Sequence, residues 1–139
     1  MKQNSPSLTA YKVAMMRAAH QFFDNPKVFE DPLALSIIGT QGASDIHSKS
    51  RKFKTKLHTY LRAIVVARSR FVENELAVAI KRGVRQYVIL GAGLDTFAYR
   101  NPYAAKGLRV FEVDHPATQE WKRQQLNATE IRIPETLAF

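Results

Sequence analysis

The rhythm of apolar and polar positions changes once along the chain, near Gly83. Before that point the spacing is helical. A first helix is expected over residues 10–23, with Ser7 or Thr9 as its cap, since either hydroxyl can accept from the first free amides. Asp24-Asn25-Pro26 is a turn signature that stops it. A shorter helix is expected over residues 31–38, with Asp31 as cap, Pro32 in the first helical position and Gly39 as terminator. Residues 40–50 read as loop. A long helix is expected over residues 56–82, because Leu57, Leu61, Ile64, Val65, Phe71, Val72, Leu76 and Ile80 recur at helical intervals. Lys81 and Arg82 suit the negative end of its dipole, and Gly83 its stop.

After Gly83 the pattern becomes short apolar runs. Residues 86–90 read as a buried strand that enters Gly91-Ala92-Gly93. Asp95-Thr96 can open a short helix over residues 97–100, which Pro102 halts. Residues 109–114 read as a second strand, 116–126 as a helix carrying Trp121, and 131–133 as the start of a third strand. A β-α-β-α order predicts an α/β fold with a parallel sheet and right-handed crossovers. The expected organisation is a helical cap over residues 1–83 and a partial cofactor-binding domain over residues 84–139.

Composition narrows the chemistry. The 139 residues allow one small domain or part of a larger one, and 45% hydrophobic content supports a packed core. There is no cysteine, which excludes disulfides, thiolate metal sites and cysteine nucleophiles. His20, His47, His58 and His115 do not stand at metal-ligand spacing, so no metal site is expected. Residues 1–9 are polar and the longest apolar run, residues 63–67, is far too short to span a bilayer, so the expectation is a cytoplasmic chain without a secretory signal. The net charge of +9 is concentrated at Lys49, Arg51, Lys52, Lys54 and Lys56, with no acid among them. A solvated face accounts for such a run. A basic nucleic-acid-binding module is the alternative, although only Phe53 and Tyr60 are near enough to stack on bases.

The segment that carries chemistry is Leu90-Gly91-Ala92-Gly93-Leu94-Asp95-Thr96. Glycines where a strand turns into a helix let backbone pass close to a ligand, and a side chain at either would intrude on that space. Asp114 ends the next strand, 23 positions after Gly91. In a doubly wound sheet that carboxylate reaches the same edge and can accept from a ribose diol. A dinucleotide normally asks for a third glycine and a helix N-terminus facing its pyrophosphate. Here Thr96 occupies the third place and Asp95 would put a carboxylate beside the phosphates. S-adenosylmethionine carries no phosphate, so the pattern favours it over NAD. The plainer alternative is a tight turn with Asp114 capping the helix at Pro116. Arg68 shares a helical face with Leu61, Ile64, Val65 and Val72. It either snorkels from the border of that stripe or meets an anion, for which a carboxylate is a fitting bidentate partner.

With these residues in view, the sequence resembles the leucine carboxyl methyltransferase family, and within it bacterial S-adenosylmethionine-dependent O-methyltransferases. The matching stretches are Thr9-Ala10-Tyr11-Lys12-Val13-Ala14 with Arg17-Ala18, Asp31-Pro32-Leu33-Ala34, Ala67-Arg68-Ser69-Arg70-Phe71-Val72, Val88 to Thr96 with Tyr99-Arg100, and Val110 to Pro116. The resemblance implies the first β-α-β-α units of a class I, Rossmann-like methyltransferase fold. It implies that Arg68 holds the cofactor's carboxylate, that Gly91 and Gly93 approach the cofactor, and that Asp114 binds its ribose. Arg17 would lie near the same cleft. No residue is singled out as catalytic, and the methyl acceptor is left open between a small molecule and a protein carboxylate.

Family enzymes continue well beyond the third strand, so the resemblance also implies a truncated or split member. Such a chain is expected to aggregate, self-associate or await a complementing C-terminal half, since an unpaired apolar strand edge invites pairing. An NAD-type oxidoreductase fragment and an inactive structural remnant are the other readings.

Overall fold

The computed structural model describes residues 7–139; the reading of residues 1–6 as part of a polar, signal-free start lies outside them. Helix α1 (Leu8–Phe23) is capped by Ser7, whose hydroxyl accepts from the Ala10 amide at 3.2 Å. Thr9 is therefore inside the helix. The expected helix over residues 31–38 shrinks to α2 (Ala34–Ile37). Asp31 does not cap a long helix, because its carboxylate is used elsewhere. Its Oδ1 accepts from the Leu33 amide (3.0 Å) and its Oδ2 from the Thr96 hydroxyl (2.7 Å).

The expected loop over residues 40–50 is mostly helical instead. Gly39 ends α2 at φ +74°, but the chain re-enters helix at once as α3 (Gly39–Ser48), followed by α4 (Ser50–Phe53). Local propensity is poor in Gly-Thr-Gln-Gly-Ala-Ser, and tertiary packing overrides it. Ile46 is fully buried, and Gly42 lies so close to Ile38 and the Tyr11 hydroxyl that a Cβ there would sit 2.9 Å from each. Lys49, Arg51, Lys52, Lys54 and Lys56 are exposed, with Lys49 pairing Asp45 at 3.1 Å.

The long helix α5 (Lys56–Lys81) matches expectation to within a residue and is capped by Thr55. It leans on α1 through a buried polar clasp. Arg62, 2% exposed, donates to both carboxylate oxygens of Asp24 (2.8 and 2.7 Å) and to the Phe53 carbonyl (2.5 Å). His20 holds the other side, with Nδ1 2.7 Å from Asp24 and Nε2 accepting from the Val28 and Phe29 amides. The hydrogen bond from Arg62 keeps the Asp24 carboxyl below the usual range. Around the clasp Ala14, Ala18, Ala19, Ile37, Ile46, Phe53 and Leu126 form one core.

Strands β1 (Gln86–Leu90), β2 (Arg109–Val113) and β3 (Leu137–Ala138) form a parallel sheet in the order β1-β2-β3. Three expectations need correcting. The third strand is not at residues 131–133, which are irregular, but at Leu137–Ala138. The segment after Asp95-Thr96 is a three-residue 3₁₀ turn, Phe97–Tyr99, rather than an α-helix. β1 is not buried on both faces: Val88 and Leu90 are 53% and 77% exposed. Register explains this last point. Tyr87 and Ile89 pair with Val110 and Glu112 and point into a second core with Leu76, Ile80, Phe97, Ala98 and Leu108. Val88 and Leu90 pair with Phe111 and Val113 on the opposite face, which no described helix covers. Helix α6 (Pro116–Ala128) packs on the covered side. No described helix is long and apolar enough to cross a membrane.

Candidate functional site

The glycine turn is pinned to the end of β2 by three consecutive amides. Gly91 and Ala92 both donate to the Val113 carbonyl (2.7 and 3.2 Å), and Gly93 donates to Asp114 Oδ2 at 2.6 Å. The second oxygen of Asp114 accepts from the His115 amide, also at 2.6 Å. The turn and the carboxylate that sequence spacing paired are therefore in direct contact. Asp114 does not cap α6. That role falls to His115, whose Nδ1 accepts from the Ala117 amide at 3.2 Å.

The two glycines are required for different reasons. Gly91 has φ +68° and open space where a Cβ would stand. Its demand is the left-handed backbone and the open cleft beside it. Gly93 has φ +51°, and a Cβ there would lie 2.9 Å from Cβ of Ala10. It is glycine because α1 crosses the turn. A side chain at Gly91 would point into open space, whereas one at Gly93 would meet Ala10 of α1.

Beside the turn opens a cleft of about 630 Å³. One wall is α5, through Val65, Arg68, Ser69, Val72 and Glu73; the other is β1 and the turn, through Gly91, Gly93, Asp95 and Asp114; the start of α1 roofs it with Ala10, Val13 and Arg17. All four expected site residues, Arg68, Gly91, Gly93 and Asp114, line this one space. Arg68 is exposed in it, and among the described residues no carboxylate pairs with its guanidinium. The cleft also runs down the free edge of β1, past Tyr87 and Val88, so its polar upper end and its apolar lower end differ in character.

A buried ion network braces the turn from behind, and sequence reading found only fragments of it. Arg17, 4% exposed, donates to the Leu94 carbonyl (2.5 Å), lies 2.9 Å from Asp31 Oδ2, and reaches within 3.9 Å of Asp95. Thr96, 1% exposed, donates to Asp31, and Arg100 joins the same carboxylate from 3.6 Å while pairing with Glu73 of α5. α1, α5 and the turn are thereby tied together. The signal for Arg17 was present: an arginine between Ala14 and Ala18 on an apolar stripe is as anomalous as Arg68. Behind β2 the Glu112 carboxylate meets Lys122 at 2.6 Å, both 1% exposed, with the Tyr99 hydroxyl donating at 3.3 Å. Burial raises the Glu112 and Tyr99 pKa values and lowers that of Lys122.

The arrangement is a poor host for a pyrophosphate. A dinucleotide site needs free amides at the start of a helix. Here the turn leads only into Phe97–Tyr99, and the Phe97 amide already donates to Asp95 Oδ1 at 2.8 Å. The site instead offers the Asp114 carboxylate at the glycine turn, a second acid, Asp95, on the same turn, and on the α5 wall the exposed Arg68 with Glu73, which Arg100 pairs.

Comparison with known proteins is in keeping with that geometry. A family model described as leucine carboxyl methyltransferase matches residues 10–139. A Bacillus subtilis (strain 168) protein named "Putative S-adenosyl-L-methionine-dependent methyltransferase YktD" is 35% identical, over all of this chain and 52% of its own length. Relatives named as S-adenosyl-L-methionine-dependent methyltransferases in the same way, from Parafrankia sp. (strain EAN1pec) and Mycobacterium sp. (strain KMS), are 36% and 34% identical over 88% and 71% of this chain, and over 39% and 40% of their own lengths. The chain spans about half the length of the curated relatives it matches, or somewhat less.

Proposed function

The chain belongs to the leucine carboxyl methyltransferase family, and on that premise we propose that it forms the donor-binding part of an S-adenosylmethionine-dependent O-methyltransferase acting on a carboxyl or hydroxyl oxygen. The observation that carries the reading is the contact between Gly93 and Asp114 at the lip of the cleft that Arg68 enters from the other side. Residues 1–83 serve as a helical cap, and residues 84–139 as part of a Rossmann-like cofactor-binding domain in the cytoplasm.

When bound, S-adenosylmethionine supplies a methyl group on a positive sulfur, which an acceptor oxygen takes in line as the carbon–sulfur bond breaks and neutral S-adenosylhomocysteine leaves. The residues of this chain bind and orient. Gly91 lets the backbone approach, the unused lone pairs of Asp114 accept from the ribose diol, and Arg68 takes the donor's carboxylate. A carboxylate acceptor is already ionised at neutral pH and needs no general base, so alignment of donor and acceptor is the main catalytic resource.

The free edge of β1 and the bare face of Val88, Leu90 and Val113 support a second element of the reading. A complementing polypeptide, equivalent to the remaining half of the relatives, pairs with that edge and completes the acceptor pocket; the chain alone has little activity. The test is calorimetric titration with S-adenosylhomocysteine and with NADH, on this chain alone and mixed with the separately expressed C-terminal half of the Bacillus subtilis relative. S-adenosylhomocysteine should bind, more tightly in the mixture, and NADH should not. Binding of NADH, or of neither in both samples, overturns the assignment.

A further inference from the structure

Charge bookkeeping at the turn leaves a remainder. The network behind it holds two cations, Arg17 and Arg100, and three anions, Asp31, Glu73 and Asp95. Arg17 sits closest to Asp31, 2.9 Å away, and donates to the Leu94 carbonyl, while Arg100 pairs with Glu73, with Asp31 beyond. The surplus negative charge falls on Asp95, the most exposed of the three carboxylates at 33%, against 0% and 25% for Asp31 and Glu73. Its Oδ1 takes the Phe97 amide, while its Oδ2 has only Arg17 at 3.9 Å, too far for a direct hydrogen bond. An under-neutralised carboxylate on a cleft wall, in a cleft that also presents the unpaired guanidinium of Arg68, is a complement for a ligand end carrying both charges.

We propose that Asp95 is the specificity-determining acid of this cleft and accepts hydrogen bonds from the α-ammonium of the donor's amino-acid end. The inference rests on the donor reading above and deepens it. An ammonium brings three directional donors, which suit the free lone pairs of Oδ2. The sulfonium is the less suitable partner, for two reasons. It has no hydrogen to donate. Its charge also falls on the way to the transition state, so an anion held against it stabilises the ground state more than the barrier. The ammonium keeps its charge throughout, and a contact there gives binding without that penalty.

The experiment uses two ligands that differ by the ammonium alone at the sulfur side chain: S-adenosyl-3-thiopropylamine, which has a neutral sulfur and no carboxylate, and 5′-propylthioadenosine. Calorimetry on the wild-type chain should show the amine binding about tenfold more tightly, the order expected for one charge-assisted hydrogen bond. Asp95→Asn and Asp95→Ser, both able to keep the cap on the Phe97 amide, should erase that advantage and leave 5′-propylthioadenosine unaffected. Arg68→Gln should preserve the advantage while weakening S-adenosylhomocysteine. If the amine keeps its advantage in both Asp95 variants, or if both ligands weaken in parallel, Asp95 does not read the ammonium, although the donor reading stands. If the wild-type chain binds none of the three adenosyl compounds, the donor reading fails and this inference with it.

Discussion

The two faces of the sheet have the same backbone and nearly the same kind of residue, yet opposite fates. On one face Tyr87, Ile89, Val110 and Glu112 meet helix α5, the Phe97–Tyr99 turn and α6. On the other, Val88, Leu90 and Val113 stand 53%, 77% and 49% exposed. Apolar residues are thus placed for burial on both sides, as in parallel sheets generally, while only one side is covered by the described chain. The covered face packs against the elements that carry the site. The bare face is the surface on which the proposed complementing half would pack.

The strongest test of the covered face is its buried pair. Lys122→Met takes the cation from buried Glu112, leaving its carboxyl group only the Tyr99 hydroxyl, and should cost about 3–5 kcal/mol in urea denaturation. The double change Lys122→Met with Glu112→Leu should recover most of that, because the loss comes from burying a carboxyl group without its cation and not from missing attraction. Equal destabilisation by the single and double variants would mean that the face is held by the pair's geometry instead.

The clasp that joins α1 to α5 should give the next largest effect. Asp24→Asn weakens the main partner of buried Arg62, at a cost of about 3 kcal/mol. The pH dependence has a definite sign. Since Arg62 lowers the Asp24 pKa in the folded state, this contribution is complete above the unfolded carboxylate value near 4 and disappears as pH falls through the lower folded value. Thermal melts between pH 5 and pH 2 should therefore drop more steeply for the wild type than for Asp24→Asn.

The glycine turn divides the difference between the two sides at single-residue scale. Gly93→Ala must both hold a positive φ and push Ala10 away, so a loss of about 2 kcal/mol is expected. Gly91→Ala has only the backbone strain and should lose about 1 kcal/mol, while weakening S-adenosylhomocysteine more than Gly93→Ala does. Equal effects on ligand affinity would show that both glycines serve packing.

How much of this was legible beforehand follows from what each residue depends on. α5 and the first two strands were readable because their periodicity is local and long. The pairing of Gly91–Gly93 with Asp114 was readable because parallel strands put their C-terminal ends at one edge. The helix over Gly39–Ser48 was not, since it exists through contacts of Gly42 and Ile46 with Tyr11 and the core, which local propensity does not register. Nor was β3 at Leu137–Ala138, where two residues are too short a run to show alternation. The roles of Asp31 and Arg17 depend on a network that joins residues 77 positions apart in sequence, as in the bond from Arg17 to Leu94.

The smallest expected effect on stability addresses the bare face directly. Val88→Lys and Val113→Lys stand on paired strands, with both side chains largely in solvent, so together they should change the unfolding free energy by no more than about 0.5 kcal/mol. Their effect should appear in association. Light scattering across a concentration series should show the wild-type chain forming larger species, because an open strand edge beside an apolar face is a template for pairing. The double variant should remain monomeric, and should also fail to recruit a complementing half that covers the same face. A wild-type chain that stays monomeric at every concentration would mean the exposed valines and Leu90 are tolerated as surface. The asymmetry between the faces would then reflect only how the helices are distributed, and the case for a missing companion would rest on the open edge of β1 alone.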